Sequence, residues 1–359
     1  MSIQTVSGRI DGQDLGVTLP HEHLLLQSPS SYPYVSRKNA DIVEAPITLQ
    51  NYRRMLRGTF YPKNALVLDE EEVAADEMAM FRKAGGSTVL DLTVEGLGRN
   101  PEAIRRISQK SSVNVVMGTG FFISSSHPAR VNQKTIDDLA DELINDLTEG
   151  VAATGIKAGV IGEIGISPSE ILPDEEKVLH AVAQAHLSTG AAINVHTWGD
   201  SPGKRTQRRV LEILEKEGVK MSKVALSHME QVKVSGRFAV TDWEYINELA
   251  ELGPYVCLDA FGQDWPWGAD WSLETGNPVY MPSPTDFDRV RGVILLMEKG
   301  KERKVLLSHD VWHKLRLKKY GGDGYDHLLV NVPQIFKSLG VDEASYKRLI
   351  VDNPRNYLV

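Results

Sequence analysis

A closed (β/α)8 barrel, of the α/β class, is the fold this sequence predicts, and three observations predict it. Eight short apolar, β-branched runs recur along the 359 residues. Amphipathic segments of helical length separate them. No GxGxxG or GxxxxGK[ST] loop follows an early run, as the competing doubly wound open sheet would want.

The elements follow in order. The opening IQTVSGRIDGQDLG has strand-like runs around an Asp-Gly and predicts a β-hairpin capping the barrel floor. The eight runs are residues 17–26, 87–93, 113–120, 159–166, 191–197, 223–229, 255–262 and 304–310. They read as continuous apolar stretches, as buried parallel strands do. Helices are expected at EEEVAADEMAMFRKAGG, TIDDLADELINDLTEG, PDEEKVLHAVAQAHLSTG and TQRRVLEILEKEG, several of which open at Thr or Pro and close at Gly. Two long insertions interrupt the repeat: residues 27–68, rich in Tyr and Pro, and residues 263–284, which carry Trp265, Trp267 and Trp271. No linker or low-complexity tract intervenes, so one domain spanning residues 1–359 is expected.

Composition excludes several classes. A net charge of −8 with both signs interspersed offers no basic stripe for nucleic acid. The single cysteine, Cys257, rules out disulfide scaffolds and thiolate zinc sites, and its apolar setting marks it as a small core residue. The N-terminal MSIQTVSGRIDGQ has no signal-peptide core, and no stretch nears the ~18 apolar residues of a membrane span. A cytoplasmic protein without a membrane partner is expected.

Function is read at the C-terminal ends of the strands, where barrels place their chemistry. Those ends carry His21 and His23, Glu163, His196, His228 and Asp310. Side chains alternate along a strand, so His21 and His23 face one way and Glu22 the other. Any one of these residues has an ordinary reading as a core or capping group. Four imidazoles and two carboxylates on five strand ends point instead to a metal site. The donor set, without thiolate, suits zinc, manganese, iron or cobalt. Six ligands exceed one tetrahedral ion and fit two ions sharing a carboxylate and a water.

The segments TLPHEHL, KAGVIGEIG, INVHT, ALSHME, LLSHD, YGGDGYDHLL and DNPRNYL resemble the phosphotriesterase family of the amidohydrolase superfamily over nearly the whole chain. HKLRLKKYGGDGYDHLLVNVP resembles its phosphotriesterase-related branch most. The resemblance implies a distorted TIM barrel with two divalent ions, zinc first, and a homodimer. It implies that His21, His23 and Asp310 hold the buried ion, that His196 and His228 hold the exposed one, and that Glu163 bridges them. Phosphotriesterases proper bridge with a carboxylated lysine; Lys157 lies six residues before Glu163 and does not occupy that position. Gln231 and Ala260 stand where those enzymes carry the Asp and His that relay a proton outward.

The mechanism expected is attack by a metal-activated hydroxide, with Asp310 as general base. Trp265, Trp267 and Trp271 are candidates to wall a pocket for a small-molecule ester or amide. Arg316, with Lys318 and His313, is a candidate to receive an anionic substrate tail; Tyr32, Tyr34 and Tyr61 are weaker candidates. Hydrolysis of a carboxylic ester or lactone is placed first. N-acyl amide hydrolysis is second. Phosphotriester or phosphonate ester hydrolysis is placed lower because of Gln231 and Ala260, and a metal-containing binding protein without turnover is last.

Overall fold

The computed structural model describes residues 2–27, 44–56, 62–168, 170–197, 205–232, 240–264 and 283–359. Eight strands form one sheet, and each recorded ladder between neighbours is parallel. In chain order they are β3 (Val17–Glu22), β6 (Gly86–Asp91), β7 (Asn114–Thr119), β8 (Val160–Gly165), β9 (Ile193–His196), β10 (Val224–Leu226), β11 (Tyr255–Leu258) and β12 (Val305–Leu307). Each falls on one of the eight expected runs. The sheet order follows the chain from β3 to β12, so the barrel's one seam lies between its first and last strands. There the Asp310 N–H donates to the His21 carbonyl at 3.2 Å, and the His21 N–H donates to Ser308 Oγ at 3.1 Å.

The hairpin is present, but its turn is elsewhere. β1 (Ser2–Thr5) pairs antiparallel with β2 (Gly8–Asp11) across Val6–Ser7, with Gly8 at φ 121°. The expected Asp11-Gly12 turn instead opens a 3-10 helix, Gly12–Leu15, capped by the Asp11 side chain on the Gln13 N–H. An Asx cap competes with a hairpin turn for the same Asp-Gly sequence, and here the cap wins. A further short pair, β4 (Leu26–Gln27) and β5 (Val67–Leu68), flanks the first insertion.

The four expected helices appear at Glu71–Lys83, Ile136–Thr148, Pro173–Thr189 and Thr206–Lys216. Thr135 closes a capping box with Asp138, and Gly190 ends its helix at φ 74°. Two apolar clusters result from the alternation of side chains. Ile3, Leu15, Leu90, Val116, Val160, Ala192, Ala225, Cys257 and Leu306 fill the inside of the barrel above the hairpin. Their neighbours Val89, Val115, Ile161, Ile193, Val224, Val256 and Val305 pack outward against the helices. No helix of the described residues is long and apolar enough to cross a membrane.

Candidate metal centre

Above that apolar plug the inward positions turn polar. Leu19 belongs to the outer cluster, yet His21, two residues on, points inward. The register shift between Leu19 and Glu22 changes the face, as a bulge does. A second shift lies between Ile161 and Ile164 of β8, around Gly162 and Glu163. Gly162 has φ 141°, and a Cβ there would meet the Asn194 carbonyl oxygen at 2.6 Å, so the backbone that presents Glu163 requires glycine. His228 and Asp310 hold left-handed φ values of 61° and 51°. His and Asp tolerate that region better than most residues, and such strain concentrates at functional sites.

The structure brings all six expected strand-end residues together. Glu163 is the hub. Its Oε1 lies 2.5 Å from His196 Nδ1 and 3.3 Å from both His21 Nε2 and His228 Nε2, and its Oε2 lies 3.6 Å from His23 Nε2. Asp310 Oδ1 is 3.4 Å from His23 Nε2 and 3.7 Å from His21 Nε2. Donor atoms of His21, His23 and Asp310 all lie within 4.8 Å of one another, as do those of His21, Glu163 and His228. His196 joins the second group through Glu163 and through His228 Nε2, 2.8 Å away.

Sequence reading missed the groups that aim these ligands. Asp259, fully buried after β11, receives His21 Nδ1 and His228 Nδ1, each at 2.8 Å. Thr93 gives its hydroxyl proton to the Leu25 carbonyl and therefore accepts from His23 Nδ1 at 2.9 Å. Each contact protonates Nδ1 and leaves Nε2 facing inward, which is how metal-binding histidines are oriented. His21 Nε2 is buried without a hydrogen-bond partner among the described residues. A signal existed: Thr93 ends the apolar run STVLDLT, and Asp259 is the one polar side chain inside YVCLDAF apart from the tyrosine hydroxyl and the thiol.

Electrostatics fit a cationic occupant. Three carboxylates (Glu163, Asp259 and Asp310) meet four imidazoles in a buried volume. Burial works against charge on His21 and His228, but Glu163 and Asp259 hold His21, and Asp259 with Glu163 holds His228, well above the usual imidazole value. Against the same burial, His196 and His21 keep Glu163 well below the usual carboxyl value. Burial lowers His196 despite Glu163, so without ions it is His21 and His228 that draw in protons, which divalent cations would replace. The donor set and the orphaned His21 Nε2 therefore fit two such ions.

The remaining candidates fare differently. Arg316 is buried, and its guanidinium donates to Gln263 Oε1 at 2.9 Å and to the Phe261 and His309 carbonyls at 2.5 and 3.0 Å. These bonds give it the task of bracing the loops after β11 and β12, where the sequence suggested contact with a substrate tail. Lys318 Nζ is bound to Asp326 Oδ2 at 2.5 Å. Buried His313 packs edge-on against Trp312. Trp265, Trp267, Trp271, Tyr32, Tyr34 and Tyr61 lie outside the described residues. Lys157 precedes β8, at the end of the strand away from Glu163.

Neither Cys257 nor Ser227, among the described residues, is set up as a nucleophile. The Cys257 thiol sits in the inner apolar cluster, and burial pushes its pKa well up. Ser227 Oγ lies 2.9 Å from His21, but on Nδ1, the nitrogen that Asp259 also holds. A hydrolytic triad needs its serine and its acid on opposite nitrogens.

The family model described as Phosphotriesterase family matches residues 1–358. An N-acetyltaurine hydrolase of Xenopus tropicalis is 31% identical, over 99% of this chain and 97% of that protein. A phosphotriesterase-related protein of Nematostella vectensis is 33% identical over the same shares. The crystal structure of a resiniferatoxin-binding protein from Rhodobacter sphaeroides superposes with a TM-score of 0.89 at 32% identity, covering 99% of this chain and 94% of that one.

Proposed function

The chain belongs to the phosphotriesterase family, and from that premise we propose that it is a metal-dependent hydrolase of an N-acyl amide. The observation that carries the metal-dependent part is Glu163 within 3.6 Å of a ring nitrogen of each of four histidines. The choice of an amide over the ester or lactone favoured by sequence alone rests on the relatives named N-acetyltaurine hydrolase, whose length the match spans almost entirely.

His21, His23 and Asp310 would hold one ion and His196 and His228 the other, with Glu163 between them. Two divalent ions there supply a water of lowered pKa and a polarised scissile carbonyl. The protein supplies proton handling. Asp310 Oδ1 faces His21 and His23, and Oδ2, 3.9 Å from His228 Nδ1, would take the proton of the attacking water and return it to the departing amine. Asp310 and His196 are 9% and 8% exposed, whereas His21 is 0% exposed. Asp310 therefore stands at the solvent side of the cage and reaches water without a relay through Gln231 or Ala260.

Metal-replete protein should release taurine from N-acetyltaurine, or amine from other N-acetyl amino acids, faster than it opens γ-lactones or cleaves aryl acetates. Preference for the lactone or ester would overturn the amide reading. Asp310→Asn should lower kcat by ~100-fold or more; full activity in that variant would remove Asp310 from the mechanism. A second reading, ligand binding without turnover, draws on the similar resiniferatoxin-binding protein. It predicts saturable binding of resiniferatoxin and no hydrolysis of any of these substrates.

A further inference from the structure

The middle residue of the His-Glu-His run has no part in the mechanism above, yet Glu22 is fully buried and densely bonded. Its Oε1 accepts from Ser308 Oγ at 2.7 Å, from the His309 N–H at 2.9 Å and from His309 Nδ1 at 2.8 Å. Its Oε2 accepts the Val311 N–H at 3.1 Å. All four donors belong to the segment that carries Asp310, and the two backbone donors flank Asp310 on either side. The Asp310 N–H itself goes to the His21 carbonyl, one residue before Glu22. His309 Nε2 accepts the Leu328 N–H at 3.2 Å, which leaves Nδ1 as that ring's donor.

We propose that Glu22 is a positioning residue for Asp310: by holding the N–H groups of His309 and Val311 at once, it maintains the left-handed turn that aims the Asp310 carboxylate into the cage. Asp310 has φ 51°, a conformation that an isolated chain leaves readily. The seam between β12 and β3 has no backbone ladder to impose it. Glu22, reaching across from β3, accepts from the backbone on both sides of the turn, and adds to the bonds that Arg316 gives the His309 carbonyl and Asp310 gives the His21 carbonyl. A carboxylate does so because both its atoms accept; the amide of glutamine offers one acceptor and one donor, and its NH2 would face an N–H. The bulge in β3 thus serves two ends, turning His21 and His23 inward and Glu22 towards the neighbouring strand.

This inference rests on the role given above to Asp310, and a double-mutant cycle separates the two. Glu22→Gln should lower kcat for N-acetyltaurine by ~10-fold or more with KM little changed. In an Asp310→Asn background the same substitution should cost less than ~2-fold, because residues acting as one unit are not additive. Amide exchange at His309 and Val311 should quicken in Glu22→Gln, with or without bound metal. Equal losses in both backgrounds, or unchanged exchange at those two amides, would overturn the proposal. Full activity of Asp310→Asn would instead overturn the functional reading, leaving amide exchange to decide the role of Glu22. Should Glu22→Gln not fold, Glu22→Asp, which keeps two acceptors and loses one methylene of reach, takes its place with the same expectations.

Discussion

At the scale of single residues, the groups behind the ligands make the sharper distinctions. Asp259 holds His21 and His228, which the assignment above places on different ions, whereas Thr93 holds only His23. Losing the partner of a ligating histidine typically costs 10–100-fold in metal affinity. Asp259→Asn should therefore weaken both ions, by about that factor each. Thr93→Val, which keeps the shape and removes the hydroxyl, should weaken one ion and leave the other near its original affinity. Chelator competition followed by elemental analysis reads both outcomes. A single weakened site in Asp259→Asn would show that the two histidines serve one ion, as the grouping of His21, Glu163 and His228 permits.

At the scale of elements, the loop after β12 carries two histidines that folding holds neutral. Burial lowers His313 well below the usual 6.5, and Arg316 adds to it; burial also lowers His309, against the pull of Glu22. A depressed imidazole value means that the unfolded chain binds a proton where the folded one does not. The stability these groups permit is therefore complete above about pH 6.5 and falls as pH drops through it, by at most ~1.4 kcal/mol per pH unit for each. His313→Phe keeps the ring contact with Trp312, so between pH 6.5 and 5.5 its unfolding free energy should fall less steeply than that of the wild type, by about one proton's slope. Parallel curves in denaturant titrations would contradict this. The same loop shows where sequence legibility stops. The strands and helices were readable because apolar runs and capping residues are local signals, and the strand-end histidines because HxH and SHD stand out against apolar neighbours. The bracing role of Arg316 has no local sequence signal, because its partners Phe261 and Gln263 lie in the loop after the preceding strand, 55 and 53 residues away. Glu22, Thr93 and Asp259 were overlooked for a related reason: their partners are 286, 70 and 238 residues away in sequence. The hairpin turn moved because Asp11 caps a 3-10 helix, a choice that depends on the next turn of chain and not on the Asp-Gly pair.

At the scale of the molecule, the cage is a fastening for the barrel. Its residues come from the ends of β3, β8, β9, β10, β11 and β12, so they span the one seam that lacks a ladder. Ions bound there would tie both sides of that seam, and a ligand at 100 times its dissociation constant stabilises the fold by about 2.7 kcal/mol. The stripped protein has a substitute for the ions, since Glu163 and Asp259 raise His21 and His228 well above 6.5 despite their burial. A raised folded value contributes stability that is present in full below the unfolded value and is lost as pH rises through the folded one. The stripped protein should therefore weaken as pH climbs from about 6.5, once its protons leave and three carboxylates face one another uncompensated. In the loaded protein the ions exclude those protons, and binding itself strengthens as histidines deprotonate. The gap in melting temperature between zinc-loaded and chelator-stripped protein should widen steadily from pH 6 to pH 8. A gap that stays constant, or narrows, would mean that His21 and His228 do not exchange protons for metal, and the centre would have to be assigned to other residues.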